Sequence, residues 1–203
     1  VVGAIVSLRR MAAPMALAIT SPDFGTVWVD LTRDRYHSEY ELEQMPASPS
    51  SIGIATQALA PGQELFPGAR WRALDPFLWH VGRSAFGDAE ASWMRGGDRY
   101  RLSRWPDLTQ LPHGADEIRI IAALGAGQDL TVQETVELAG VDGRTARSVM
   151  NALSLMGCLD AVAGPVEPPP VIAQATRRAA RERATRQGLF GRLRARLTGV
   201  ANG

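Results

Sequence analysis

Arg144, Thr145, Arg147, Ser148 and Asn151 are the residues of this chain whose types and spacing could do chemistry. They open a helical pattern, on its exposed N-terminal side. There an arginine can pair bidentately with guanine and an asparagine with adenine in a DNA major groove. A second candidate is the C-terminal tail. Arg177, Arg178, Arg181, Arg192, Arg194 and Arg196 supply charge for an anionic partner, and Leu189, Phe190, Leu193 and Leu197 share one side of GLFGRLRARLTGV when it is helical. The same tail also reads plainly as a solubilising, disordered end. Enzyme signatures are poor. His37, His80 and His113 lie far apart, Cys158 is the single cysteine, and no ligand spacing joins them. No phosphate-binding loop, nucleophile elbow or dinucleotide fingerprint occurs. No catalytic residue, metal or cofactor is therefore expected. His80 sits in an apolar helical pattern and reads as a satisfied core histidine, and Cys158 reads as a small buried hydrophobe.

The elements that must position the first candidate lie in residues 130–160, LTVQETVELAGVDGRTARSVMNALSLMGCLD. Thr131 and Glu134 have capping-box spacing. Val132, Val136 and Ala139 fall on one helical face, with Leu138 flanking it. Gly140 ends that helix, because glycine adopts the left-handed conformation without a Cβ penalty. Val141 is an apolar plug for the turn, and Asp142 caps the next helix. Ala146, Val149, Met150, Leu153 and Met156 recur at three- and four-residue spacing, so this second helix is amphipathic. Gly157 stops it, and Cys158 and Leu159 begin an extended piece.

This pattern resembles the winged-helix branch of the helix-turn-helix superfamily. The matching residues are Leu130, Thr131, Glu134, Leu138, Ala139, Gly140, Val141, Arg144, Leu153 and residues 157–159. With a preceding helix at 116–124 (Ile118, Ile120, Ile121, Ala122 and Leu124 apolar), the likeness covers residues 108–163. It implies a trihelical unit whose last helix is the one that reads DNA in family members that do so. The order of RWPDL at 104–108, this unit, a proline linker and an LFGRLRARL ending also resembles a layout of uncharacterised proteobacterial proteins, which implies no activity.

The rest of the chain predicts an α+β protein. VVGAIVSL at 1–8 reads either as a buried strand or as residues upstream of an imprecise start before Met11. A second apolar run, 15–20, is followed by turn chemistry at 21–23. TVWVDL at 26–31 is a strand, with Arg33 and Asp34 as a reversal and 35–38 as its hairpin partner. Residues 46–68 are punctuated by proline and read as a long loop with one short element around 52–59. Asp75 and Pro76 open a helix in ALDPFLWHVGRSAF, where Phe77, Leu78, Val81 and Ala85 make the apolar face. A short turn at 89–94 and a strand at 100–102 follow. Trp71, Trp79, Trp93 and Trp105 read as fillers of a small core rather than a recognition surface, and Trp28 as half exposed on its strand. The expected divisions are an N-terminal α+β region at 1–107, the winged-helix domain at 108–163, a proline-rich linker at 164–172 and an arginine-rich tail at 173–203.

Charge weighs between functions. All basic residues are arginine, and the net charge of +1 hides an asymmetry. Residues 171–203 carry eight arginines against one glutamate, whereas residues 1–170 carry 14 arginines against 20 acids. Residues 108–163 hold three arginines and seven acids, a net −4. Nucleic-acid modules draw most of their affinity from phosphate neutralisation, so a negative unit argues against DNA. No stretch of 18 apolar residues exists to span a membrane, and the opening apolar run has its arginines after it, the reverse of a secretion signal. The sequence thus predicts a cytoplasmic bacterial protein without enzymatic activity. It would be a regulatory adaptor that meets an unidentified protein partner through the winged-helix module and an anionic surface through the tail. The alternative is a DNA-binding transcriptional regulator.

Overall fold

A computed structural model describes residues 1–162 except 12–13, 47–48, 61 and 96, with only the backbone at 10 and 11. The linker at 164–172 and the whole tail lie outside the described residues. The chain opens with helix α1, Val2–Met11. This corrects the expectation of a strand. Val2, Ile5 and Leu8 are the buried positions, a three-residue spacing hidden in the sequence by the apolar residues between them.

Five antiparallel strands follow: β1 (Met15–Ser21), β2 (Gly25–Asp30), β3 (Arg35–Ser38), β4 (Gly53–Ala58) and β5 (Arg72–Ala73), in the order β4-β1-β2-β3-β5. Leu17, Ile19, Val27, Val29 and Tyr36 line one face and join Val2, Ile5 and Leu8 in the core. They alternate with residues of the other face, as the period of two demands. There Trp28 meets Phe66 edge-on at 5.1 Å and the Arg35 guanidinium lies 4.4 Å over Trp71. Asp30, fully buried, is matched by Arg33 at 3.1 Å and Arg35 at 3.2 Å. Helix α2 (Leu74–Ser84) then crosses the core face, where Phe77 stacks on Tyr36 at 5.5 Å.

The second half contains β6 (Arg99–Leu102), the helices α3 (Ala115–Gly125), α4 (Val132–Ala139) and α5 (Gly143–Leu155), and β7 (Leu159–Val162). Local chemistry sets these bounds. Thr131 and Glu134 form the capping box of α4, and Gly140 terminates it at φ +63°. Asp142 caps α5 by accepting from the Arg144 and Thr145 amides. Strands β6 and β7 pair antiparallel, and Tyr100 exchanges both backbone bonds with Leu130 at 2.7 and 2.9 Å.

These pairings run across the boundary expected at 107/108, with β6 before it and β7 after it. Val1–Gly164 form one compact unit, and α5 is the element its halves share. Ala146, Val149, Met150 and Leu153 are buried, and so are Asn151, Ala152 and Leu155. The helix packs against α3 and α4 and also against α2. Its last carbonyls are held by two arginines: Arg9 donates to Leu155 O and Arg104 to Met156 O, each at 3.0 Å. Cations suit a helix C-terminus because the carbonyls there are unpaired and partially negative.

The tryptophans divide. Trp79 is fully buried and donates to Pro112 O at 2.9 Å, and Trp93 donates to Ser154 Oγ at 2.8 Å. Trp105 is not a core residue: it is 60% exposed and its ring lies against Gly125, whose absent Cβ leaves it room. Leu138, expected beside the apolar face of α4, points outward. Cys158 is buried as expected, and burial pushes its thiol up to about 11 against the opposing pull of Arg104. The native chain is therefore expected not to react with Ellman's reagent near pH 8, and to release one thiol equivalent in denaturant; rapid labelling of native protein would contradict this burial.

Candidate functional site

The site expected from sequence begins where α4 turns into α5. The left-handed Gly140 reverses the chain, and Arg119 donates to the carbonyls of Ala139 and Gly140 at 3.3 Å. Asp142 takes the amides of Arg144 and Thr145 at 2.9 Å and the Thr145 hydroxyl at 2.6 Å. The hydroxyl and amide of Thr145 hold the Asp142 carboxyl below the usual range. The positive end of α5 is thus already occupied by a carboxylate of its own chain.

Arg144, Thr145 and Ser148 line a cleft of about 520 Å³ with Trp79, His80 and Arg83 of α2. Its cations are paired. Arg83 meets Glu117 at 2.7 Å and Arg144 meets Asp88 at 2.7 Å. Ser148 lies against Arg83, donating to its carbonyl at 3.4 Å. His80 is half-buried in the cleft wall, which corrects its reading as a core residue; burial lowers its pKa and favours the neutral ring. The arrangement offers a neutral polar slot rather than a seat for polyanion.

Asn151 departs furthest from expectation. It is completely buried, accepts from the Ala91 amide at 2.8 Å and donates to Ala89 O at 3.0 Å. As a residue reading bases from the surface it is therefore a correction: its amide fastens the 89–91 segment to α5. Arg147 is half-buried and curls back on Gly143, where a Cβ would stand 3.3 Å from its Nη1. Its Nε is buried without a hydrogen bond. Of the five expected residues, three line one cleft, one is internal and one is folded against its own helix. The tail residues Arg177, Arg178, Arg181, Arg192, Arg194, Arg196, Leu189, Phe190, Leu193 and Leu197 lie outside the described residues.

Glu117 is the residue of this region that sequence reasoning passed over. Its side chain is nearly enclosed. Burial alone would raise its carboxyl, but the backbone amides of Glu117 and Gly114 and the Arg83 guanidinium outweigh that and lower it. A carboxyl depressed in the folded state stabilises above its unfolded pKa of about 4.3 and loses that contribution as pH falls through the folded value. Urea unfolding of wild type and Glu117→Gln is expected to show a stability gap at pH 7 that closes on acidification below about pH 4.3. A gap independent of pH would contradict the assignment.

Among the described residues, no group of three or more His, Cys, Asp or Glu side chains could hold a metal ion, and no helix is long and apolar enough to cross a membrane. Compared with known protein families, with curated proteins and with solved structures, the chain shows no match.

Proposed function

We propose that the chain is a non-enzymatic adaptor that works in the bacterial cytoplasm through protein contacts. In this reading residues 108–163 are a winged-helix module whose third helix, α5, faces inward. The observation that carries it is the internal use of α5. Asn151 is bonded to the 89–91 segment, Ser148 lies on Arg83, and Gly82 of α2 sits directly on Ala152. A major-groove reader needs that helix face free. The net −4 of residues 108–163 supports the same reading. So does an outward stripe on α3. Ile118 is 44% exposed, Ala122 follows one turn on, and Gly125 carries Trp105 beyond it. Apolar groups gathered this way on a surface suit a protein partner better than phosphate. The basic tail, in this proposal, tethers the module to an acidic surface.

The test is binding to labelled duplex DNA across a salt series, with the full chain and a chain ending at Pro170. The adaptor reading expects no tail-free binding, and any full-length binding to be general polyanion affinity that vanishes with the tail. Tail-free binding that weakens steeply with salt and is lost in Arg147→Ala would replace it with a DNA-binding regulator.

A further inference from the structure

Among the described residues the sheet ends at β4, and all six residues of that strand are exposed. Leu59 N donates to Pro14 O at 2.8 Å, which extends the β1–β4 register in which Met15 faces Ala58. Bonded and non-bonded pairs alternate in an antiparallel ladder. From that one bond the parity of the strand follows. Gly53, Ala55 and Gln57 direct their backbone groups to β1, and Ile54, Thr56 and Ala58 direct theirs to the open edge. The side chains of Ile54 and Thr56 stand on the sheet face of their partners Ile19 and Leu17. Ile54 is 44% and Ile52 42% exposed.

Sheet edges of this kind are usually blunted by charge, proline or a bulge. Residues 53–58, GIATQA, carry no charge and no proline. We infer that β4 pairs with β4 of a second copy of this chain, antiparallel, about a two-fold axis at Thr56. In that register Thr56 faces Thr56 of the copy and Ile54 faces Ala58. Every outward N–H and C=O finds a partner, each of the three facing pairs exchanging two bonds. The uncharged strand sets no like charges opposite one another, which a self-pairing edge requires. Ile54 is also drawn out of water beside Ala58 of the copy. The inference rests on the sheet alone and is independent of the adaptor reading.

Sedimentation of the 203-residue chain between about 1 and 100 µM tests it. The expected species at the upper end is a dimer, twice the 21.9 kDa of one chain. Two variants should return it to one chain with unchanged circular dichroism. Ile54→Lys places a charge on the edge. Thr56→Pro removes an outward N–H that β1 does not use, and Ile54→Lys decides the matter should that proline disturb the strand. Thr56→Cys should cross-link to its own copy under mild oxidation, because the native Cys158 is buried. A single-chain mass across the whole range overturns the inference, and so does a dimer that survives Ile54→Lys.

Discussion

Gly82→Ala is expected to destabilise the chain by about 2 kcal/mol, although alanine is the better helix former by about 1 kcal/mol. At the crossing of α2 and α5 a Cβ on Gly82 would stand 2.5 Å from Ala152 Cα and 3.1 Å from its N and Cβ. Backbone cannot yield as a long side chain can, so the helices must separate. Overpacking of this kind costs about 1–3 kcal/mol and sometimes more. The clash outweighs the propensity gain, and the melting temperature falls by about 4–8 °C. Gly3→Ala is the control. It also lies in a helix, α1, but a Cβ there meets nothing within 4 Å, so stability holds or rises by a few tenths of a kcal/mol. Thermal unfolding of the two variants side by side separates the terms. A stabilised Gly82→Ala would mean that α2 does not lie on α5 as described.

Asn151→Ala is expected to lose about 3 kcal/mol in urea unfolding. It strands the Ala91 amide and the Ala89 carbonyl, which Asn151 satisfies at 2.8 and 3.0 Å. Each buried unpaired group costs about 1–3 kcal/mol, and the space left by the side chain adds to that. Asn151→Asp should fare no better. A carboxylate can accept from Ala91 but cannot donate to Ala89, and it brings a charge into a fully buried position. A surface residue held for reading bases would behave otherwise, because such substitutions stay within about 0.5 kcal/mol. Near-wild-type stability of Asn151→Ala would contradict its role in fastening the 89–91 segment.

These two residues mark where the sequence stops being legible. The turn between α4 and α5 could be read residue by residue, because Thr131, Glu134, Gly140 and Asp142 act on neighbours three or four positions away. Asn151 finds its partners about 60 residues upstream, and Gly82 meets Ala152 across a comparable span. Nothing local distinguishes an asparagine facing solvent from one that fastens another segment. Helix α1 was hidden for a different reason: Val1, Ala4 and Val6 mask the three-residue spacing of Val2, Ile5 and Leu8, so a strand fits the run equally well. Residue type alone places Trp105 in the core, and only its seat on Gly125 explains why it can lie outside. The sequence shows a short element around 52–59, but the place of β4 at the sheet edge depends on pairing with β1 rather than on any property of GIATQA.

Hydrogen exchange of the native chain addresses the central claim most directly. If α5 is the helix on which both halves are built, amides of Val149, Met150 and Leu153 should exchange only through global unfolding. Their opening free energy should equal that of Leu17 and Ile19 in the sheet and fall in parallel with it as urea is added. Opening of α3, α4 and α5 at a lower free energy, while the sheet stays protected, would show a separable module with α5 free on its α2 side and would contradict the account.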